Sequence, residues 1–272
     1  MTPNDVAVIA VSVGNTNTAF ARCAGDTPGE RTVISNAKLN EAAQTILALE
    51  QEADPSTDQG VIAVASVNEN VSNRLADMLI EKSNFDIARV GQDIPVLIPQ
   101  ATEPSTKTGI DRLLNALAAH TVLAQACVVV DAGTAITADF VDGEGTFQGG
   151  AIAAGLGMML WSLHDGTATL PRIERTQSPN ALEQPFGKST EHAMILGSIA
   201  SARGMVHFLT ERYAEAYGAF PLVIATGGDA DLLFAQDDRI DRVVPDLTLR
   251  GIAIACSKAL TPDADDDQAP PV

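Results

Sequence analysis

The stretch VIAVSVGNTNT, Val8 to Thr18, decides the fold. From Val6 to Val13 the chain is apolar apart from Ser12 and reads as a buried strand. Gly14 and Asn15 then mark a tight bend, and Ala19 to Arg22 reads as the return strand of a hairpin. A glycine at such a bend exposes backbone N–H groups that no side chain shields, so a phosphate oxygen can approach closely. Asn or Thr beside it adds a further donor. A carboxylate at the head of the turn would hold a cation that bridges to the phosphates and offsets their charge. Ser12 occupies that position here.

The plan recurs. CVVVDAGTAITADF, Cys127 to Phe140, has the same apolar strand, short polar residue, spacer, glycine and return strand. In this overlay Ser12 falls on Asp131, Gly14 on Gly133, Asn15 on Thr134 and Thr18 on Thr137. Two generic buried strands could match by chance, but here the glycine and the flanking polar residues coincide too. The echo therefore predicts two related domains, each opening with one hairpin, at residues 1–118 and 119–260, and an acidic, disordered tail at 261–272. Two facing turns, one per domain, could grip a triphosphate in a cleft between them.

The rest of the chain alternates strands and helices. Gly60 to Ser66, Ala135 to Val141, Thr146 to Gly150 and Pro221 to Ala225 read as strands, with a turn at Asp142 to Gly145. Helical spacing covers Glu41 to Gln51, Val71 to Lys82, Arg112 to Ala126, Leu156 to Leu163 and Glu191 to Tyr217.

Composition bounds the function. The chain has 272 residues, 46 % of them apolar and 19 % charged, enough for two cores. A formal charge of −18, from 17 basic against 35 acidic residues, argues against a nucleic-acid partner, because such binding is driven by Lys and Arg displacing counterions. The near-apolar run Ala151 to Leu163 is glycine-broken and too short to cross a bilayer, so no membrane association is expected. MTPNDVAVIA lacks the basic region of a signal peptide, which points to the cytoplasm. Cys23, Cys127 and Cys256 are odd in number and far apart, as expected of reduced thiols. The four histidines show no metal-ligand spacing.

TGIDRLLNALAAH, Thr108 to His120, is the remaining chemical signal. Spacing alone allows two roles for Asp111. It could cap or complement the helix start, or it could accept the proton of a substrate hydroxyl while Arg112 fixes the substrate or the transferring phosphoryl group.

Taken together, these motifs resemble those of the type III pantothenate kinases, members of the acetate and sugar kinase/Hsp70/actin superfamily. The matching pieces are VGNTNT (13–18), GIDR (109–112), DAGTAIT (131–137), GGAIAAG (149–155), DGTATLPRIE (165–174), GKST (187–190), ATGGDA (225–230) and PDLTLRGI (245–252). No single piece is specific, but the ordered set is. The resemblance implies an α/β fold of two ribonuclease H-like, actin-like ATPase domains, each a mixed five-stranded sheet with helices, and a ligand cleft between them. It implies transfer of the γ-phosphoryl group of ATP to pantothenate, the entry step of coenzyme A synthesis. ATP would contact Ser12, Val13, Gly14, Asn15, Thr16, Asn17, Thr18, Ala19 and Thr134, and Asp131 would bind a monovalent cation, K+ or NH4+. Gly109, Ile110, Asp111, Arg112 and Thr190 would hold pantothenate, with Asp111 as proton acceptor; a threonine at that helix start could equally be its cap. Mg2+ would accompany the nucleotide, and the protein would be a homodimer. For Thr226 to Gly228 the choice is between a strand-ending turn and close backbone approach to the nucleotide.

Three departures stand against the family pattern. Ser12 replaces an aspartate, Ala154 replaces a proline, and EPSTKT before Gly109 lacks a tyrosine. Losing one well-placed electrostatic group in such a site costs roughly 3–4 kcal/mol of barrier. Three readings stay open on the sequence: an active pantothenate kinase, a homologue that binds nucleotide or pantothenate without turnover, and a kinase for another small alcohol.

Overall fold

The computed structural model describes residues 6–51, 60–174 and 182–260, so the tail 261–272 expected to be disordered lies outside the described residues. In chain order the first half gives β1 (Ala7–Val13), β2 (Asn17–Ala24), a two-residue β3 (Thr27–Pro28), β4 (Thr32–Ser35), a 3-10 turn at Asn36–Lys38, α1 (Leu39–Gln51), β5 (Gly60–Ser66), α2 (Glu69–Ile80), β6 (Asp86–Arg89) and α3 (Ile110–Leu123). The second gives β7 (Cys127–Ala132), β8 (Ala135–Val141), β9 (Phe147–Ala154), α4 (Leu156–Asp165), α5 (Thr190–Tyr217), β10 (Leu222–Thr226), α6 (Ala230–Phe234), β11 (Arg242–Val243) and α7 (Leu247–Leu260).

The strands form two sheets of one topology. The first runs β3-β2-β1-β5-β6 with β4 also on β2, and the second runs β11-β10-β7-β8-β9. In each, a hairpin opens the unit, and its first strand pairs in parallel with a later strand, β5 beside β1 and β10 beside β7. The first sheet therefore has six strands where five are expected. The extra one is β3, two residues pairing with the far end of β2, too short to leave an apolar signature.

Each sheet is covered by helices whose apolar spacing fits its faces. In α1 the buried positions Leu39, Ala42, Ala43 and Ile46 follow the helical repeat and pack with Leu75 and Leu79 of α2 against Ile9, Val11, Ile62 and Val64. Val8 and Ala10, which point to the other face, are buried as well, so the central strand β1 is covered on both sides. The second core joins Val128, Val130, Ile136 and Val223 to Leu156 and Leu160 of α4, Ile199 and Val206 of α5, and Leu233 of α6.

The chain folds into two compact units. One comprises the described residues up to Leu97 with Thr108–Ala118 and the C-terminal helix from Thr248; the other comprises Ile98–Lys107 and Ala119–Leu247. The last helix packs with the first unit, whereas the sequence expectation drew the units as 1–118 and 119–260. The reason is local: Gly251 of α7 lies directly on the Leu114 carbonyl of α3, and Thr248 Oγ1 donates to Asn115 Oδ1 (2.7 Å). Ile98–Lys107 joins the second unit because Phe147 N donates to the Pro99 carbonyl (2.8 Å) and Ala101 N to that of Phe147 (2.9 Å).

Helix α5, with 28 residues, is long and apolar enough to cross a membrane by length and composition, which the sequence reading did not anticipate. In the fold its apolar face is part of the second core. Arg203 donates to the Leu233 carbonyl, and His207 Nε2 lies 2.8 Å from Asp237 Oδ2.

Candidate functional site

In the first unit the sequence-predicted residues gather at one edge. The parallel strands β1, β5 and β6 end at Val13, Ser66 and Arg89, and open α/β sheets bind ligands beyond such carboxyl ends. The turn after β1 is closed by Gly14 N donating to Asn17 O (2.9 Å). Asn15 and Thr16 are exposed at its tip, while Ser12, Gly14, Asn17 and Ala19 are half-buried. Val13 and Thr18 are buried, so the Val13 side chain belongs to the core and only its backbone faces the edge.

Thr18 has a different task from its neighbours. Its hydroxyl donates to Asn36 Oδ1 (2.8 Å), while Asn36 Nδ2 donates to Gly14 O (2.9 Å) and Asn36 N to Thr16 O (2.9 Å). One residue thus ties the turn in three places, twice through its side chain and once through its backbone. Sequence reasoning passed over Asn36, since an isolated Asn after a short strand carries no periodic or motif signal.

Asp111 reaches the same edge. Ile110 packs against Gly91, just beyond the end of β6. With strands about 4.8 Å apart, a residue beyond β6 lies roughly 10 Å from the end of β1. Asp111 sits in the first turn of α3, half-buried, with Oδ1 accepting from Arg112 N at 2.8 Å. That bond to its immediate neighbour is not a cap, because capping satisfies the N–H groups two or three residues on. Gly109 stands where a cap would, its carbonyl accepting from Leu113 N (3.3 Å). A Cβ on Gly109 would meet Asp111 Oδ1 at 2.6 Å, so the glycine leaves room for the carboxylate.

In the second unit three backbone segments gather around residues 131–134; Asp131, next to last in β7, pairs with Thr137 and Thr226. Gly227 has φ +99° and would place a Cβ 2.5 Å from Asp131 Oδ1. Gly155, at the start of α4, donates to Thr134 O (3.0 Å), and a Cβ there would collide with the Gly133 carbonyl. Asp229 N donates to Ala132 O (2.9 Å). Thr134 is exposed on the turn between β7 and β8.

The two hairpins differ by one residue. Val13 pairs with Thr18, but Ala132, its counterpart, pairs with Ile136. The second turn is one residue shorter, closed by Gly133 N on Ala135 O (2.9 Å). The overlay of Ser12 on Asp131 and Gly14 on Gly133 keeps register up to the bend. That of Thr18 on Thr137 does not, and Thr137 corresponds instead to Ala19.

Thr190 opens α5, but the cap there is Ser189, whose hydroxyl accepts from His192 N at 3.1 Å. Thr190 itself is exposed. Among the described residues, no three His, Cys, Asp or Glu side chains are placed to hold a metal ion. A cation resting on Asp131 would therefore complete its shell with phosphate oxygens and water, as Mg2+ beside a nucleotide commonly does. Burial pushes the Cys127 thiol up to about 12, and burial followed by the neighbouring Cys23 does the same to Cys256, so both are inert at neutral pH.

Paired sheets with glycine turns at the carboxyl ends of their parallel strands define an ATPase fold shared by actin-like proteins and sugar kinases. Solved structures agree on the fold. A Campylobacter jejuni protein assigned to the Baf family of transcriptional activators matches with TM-score 0.55 at 21 % identity, covering 93 % of this chain and 98 % of that one. A ROK family glucokinase from Streptomyces griseus, in complex with glucose and AMPPNP, matches with TM-score 0.51 at 12 % identity over 91 % and 98 %. The family model for type III pantothenate kinase matches residues 8–212. A type III pantothenate kinase from Rhodospirillum rubrum is 36 % identical over 255 residues, 91 % of this chain and 96 % of that protein. The chain belongs to the type III pantothenate kinase family.

Proposed function

We propose that the protein transfers the γ-phosphoryl group of ATP to the terminal hydroxyl of pantothenate. Family membership supports the reaction, and one observation carries the assignment of roles: Asp111 and the 14–17 turn lie at the same carboxyl edge of the first sheet. In this reading the backbone of Gly14 to Asn17, with Ser12 and Ala19 beside it, holds ATP phosphates in the first unit. The turn at Gly133 and Thr134, together with Gly227, receives the nucleotide in the second. Thr18 serves the turn through Asn36. Gly109 to Arg112 and the exposed Thr190 hold pantothenate, and Arg112 offsets the charge of the transferring group. Asp111 orients the alcohol and takes its proton, the bond forming between the hydroxyl oxygen and the γ-phosphorus as the bond to the β-phosphate oxygen breaks.

Asp131 would hold the cation, K+ or NH4+, with Mg2+ carried by the nucleotide; such ions offset phosphate charge. A homodimer in the cytoplasm completes the proposal. Its support is the exposed apolar set Ile152, Met158 and Trp161 on β9 and α4.

Ser12 favours a second reading, a homologue that binds its ligands without turnover, because serine brings no negative charge to the first turn. The test is conversion of labelled pantothenate to its phosphate across K+ and Mg2+ titrations. Turnover supports the kinase, whereas nucleotide binding without turnover supports the impaired homologue.

A further inference from the structure

Asn36 touches the nucleotide turn from outside the β1–β2 hairpin, and it does so at three points. Its backbone N–H meets Thr16 O, its Nδ2 meets Gly14 O, and its Oδ1 takes the Thr18 hydroxyl. The fold brings it there deliberately. Strand β4 pairs with β2 through Asn17↔Ser35 and Thr18↔Ile34, so the next residue must emerge beside the bend. Ser35 then caps the 3-10 turn, its hydroxyl receiving Ala37 N at 3.4 Å, which fixes where the chain leaves the strand.

The geometry points to Asn36 as a positioning residue for ATP, which rests on the kinase reading above. A turn that meets a polyanion must present N–H groups and keep its carbonyl oxygens away, since a carbonyl facing a phosphate is repelled. Asn36 binds the carbonyls of both Gly14 and Thr16, and so holds both on the side opposite any anion. The side-chain amide donates to one partner and accepts from another through two separate atoms, whereas an ionised carboxylate only accepts and a hydroxyl must do both from a single oxygen. With Ser12 in place of a carboxylate, the first turn depends on its backbone for phosphate contact, and its preorganisation matters correspondingly more.

The test compares wild type with Asn36→Ala, Asn36→Asp and Thr18→Val, reading the dissociation constant of a non-hydrolysable ATP analogue by calorimetry and KM for each substrate. Asn36→Ala should weaken nucleotide binding about tenfold, the scale of one or two lost hydrogen bonds, with KM for pantothenate unchanged within about twofold. Asn36→Asp, which sets a carboxylate against the Gly14 carbonyl, should bind no better than Asn36→Ala. Thr18→Val should fall between these and wild type, and Thr18→Ser should restore wild-type binding. Faster amide exchange at residues 15–18 in Asn36→Ala, with β1 still protected, would locate the effect in the turn.

Unchanged analogue affinity in Asn36→Ala, or an equal loss for both substrates, overturns the assignment. A wild-type protein that binds no ATP analogue overturns the nucleotide site itself, a distinct outcome.

Discussion

The carboxylate of Asp131 lies against the backbone of Gly227: a Cβ at Gly227 would come within 2.5 Å of Asp131 Oδ1. Asp131 stands near the carboxyl end of β7 and Gly227 just past that of the neighbouring parallel strand β10, and the positive φ of Gly227 turns its chain over the carboxylate. Gly227→Ala would meet both a left-handed backbone and a side-chain collision. It should destabilise the protein by about 2 kcal/mol or more and abolish nucleotide binding. Thermal unfolding with and without an ATP analogue checks this, and wild-type stabilisation by the analogue in the variant would contradict it.

The C-terminal helix reaches the acceptor residues through α3. Thr248 Oγ1 bonds Asn115, which is buried and one turn beyond Asp111 on the same helix face. Thr248→Val leaves a buried amide oxygen short of a donor and should cost about 1–3 kcal/mol. Urea denaturation reads the cost. Because the bond braces α3 rather than the nucleotide turn, KM for pantothenate should rise more than KM for ATP.

Asp142 closes the hairpin between β8 and β9. Partial burial raises its pKa, yet donors from Thr146, Gln148, Glu144 and Gly145 outweigh that and bring it below its ordinary value. A depressed carboxylate stabilises the fold above the unfolded-state pKa and loses that contribution as pH falls through the folded one. Asp142→Asn should therefore be less stable than wild type at neutral pH, and the two melting curves should converge in acid. A gap that widens on acidification would reverse the sign of this reasoning.

Ser12, next to last in β1, lies beside Ala19 and Ala65, two small neighbours on the flanking strands. Ser12→Asp supplies the charge missing from the first turn and should raise kcat/KM roughly ten- to a hundredfold, or lower the Mg2+ needed for half-activity. An unchanged or lower rate would show a site rebuilt around serine.

The hairpin echo was legible because both copies carry buried apolar runs ended by glycine, a pattern set by local chemistry. Gly60–Ser66 and Ala135–Val141 keep their expected bounds for the same reason. The missed pieces share a physical cause. Strands β3, β6 and β11 are two to four residues long and hold no period, and α7 was overlooked although its buried face packs on α3. Asn36 acts through three hydrogen bonds to residues 18 to 22 positions away or across a strand pair, which no linear motif encodes. The one-residue difference between the turns is likewise set by pairing and not by composition, so the Thr18 overlay slipped.

The central claim is that Asp111, at the carboxyl edge of the first sheet, accepts the proton of pantothenate as ATP phosphorylates it. The most direct measurement is the initial rate of phosphate transfer from labelled ATP to pantothenate, with K+ and Mg2+ present, for wild type and Asp111→Asn side by side. The account predicts turnover by wild type, and in the variant a kcat lower by about two to four decades with ATP affinity retained. A variant that turns over as fast as wild type would contradict it.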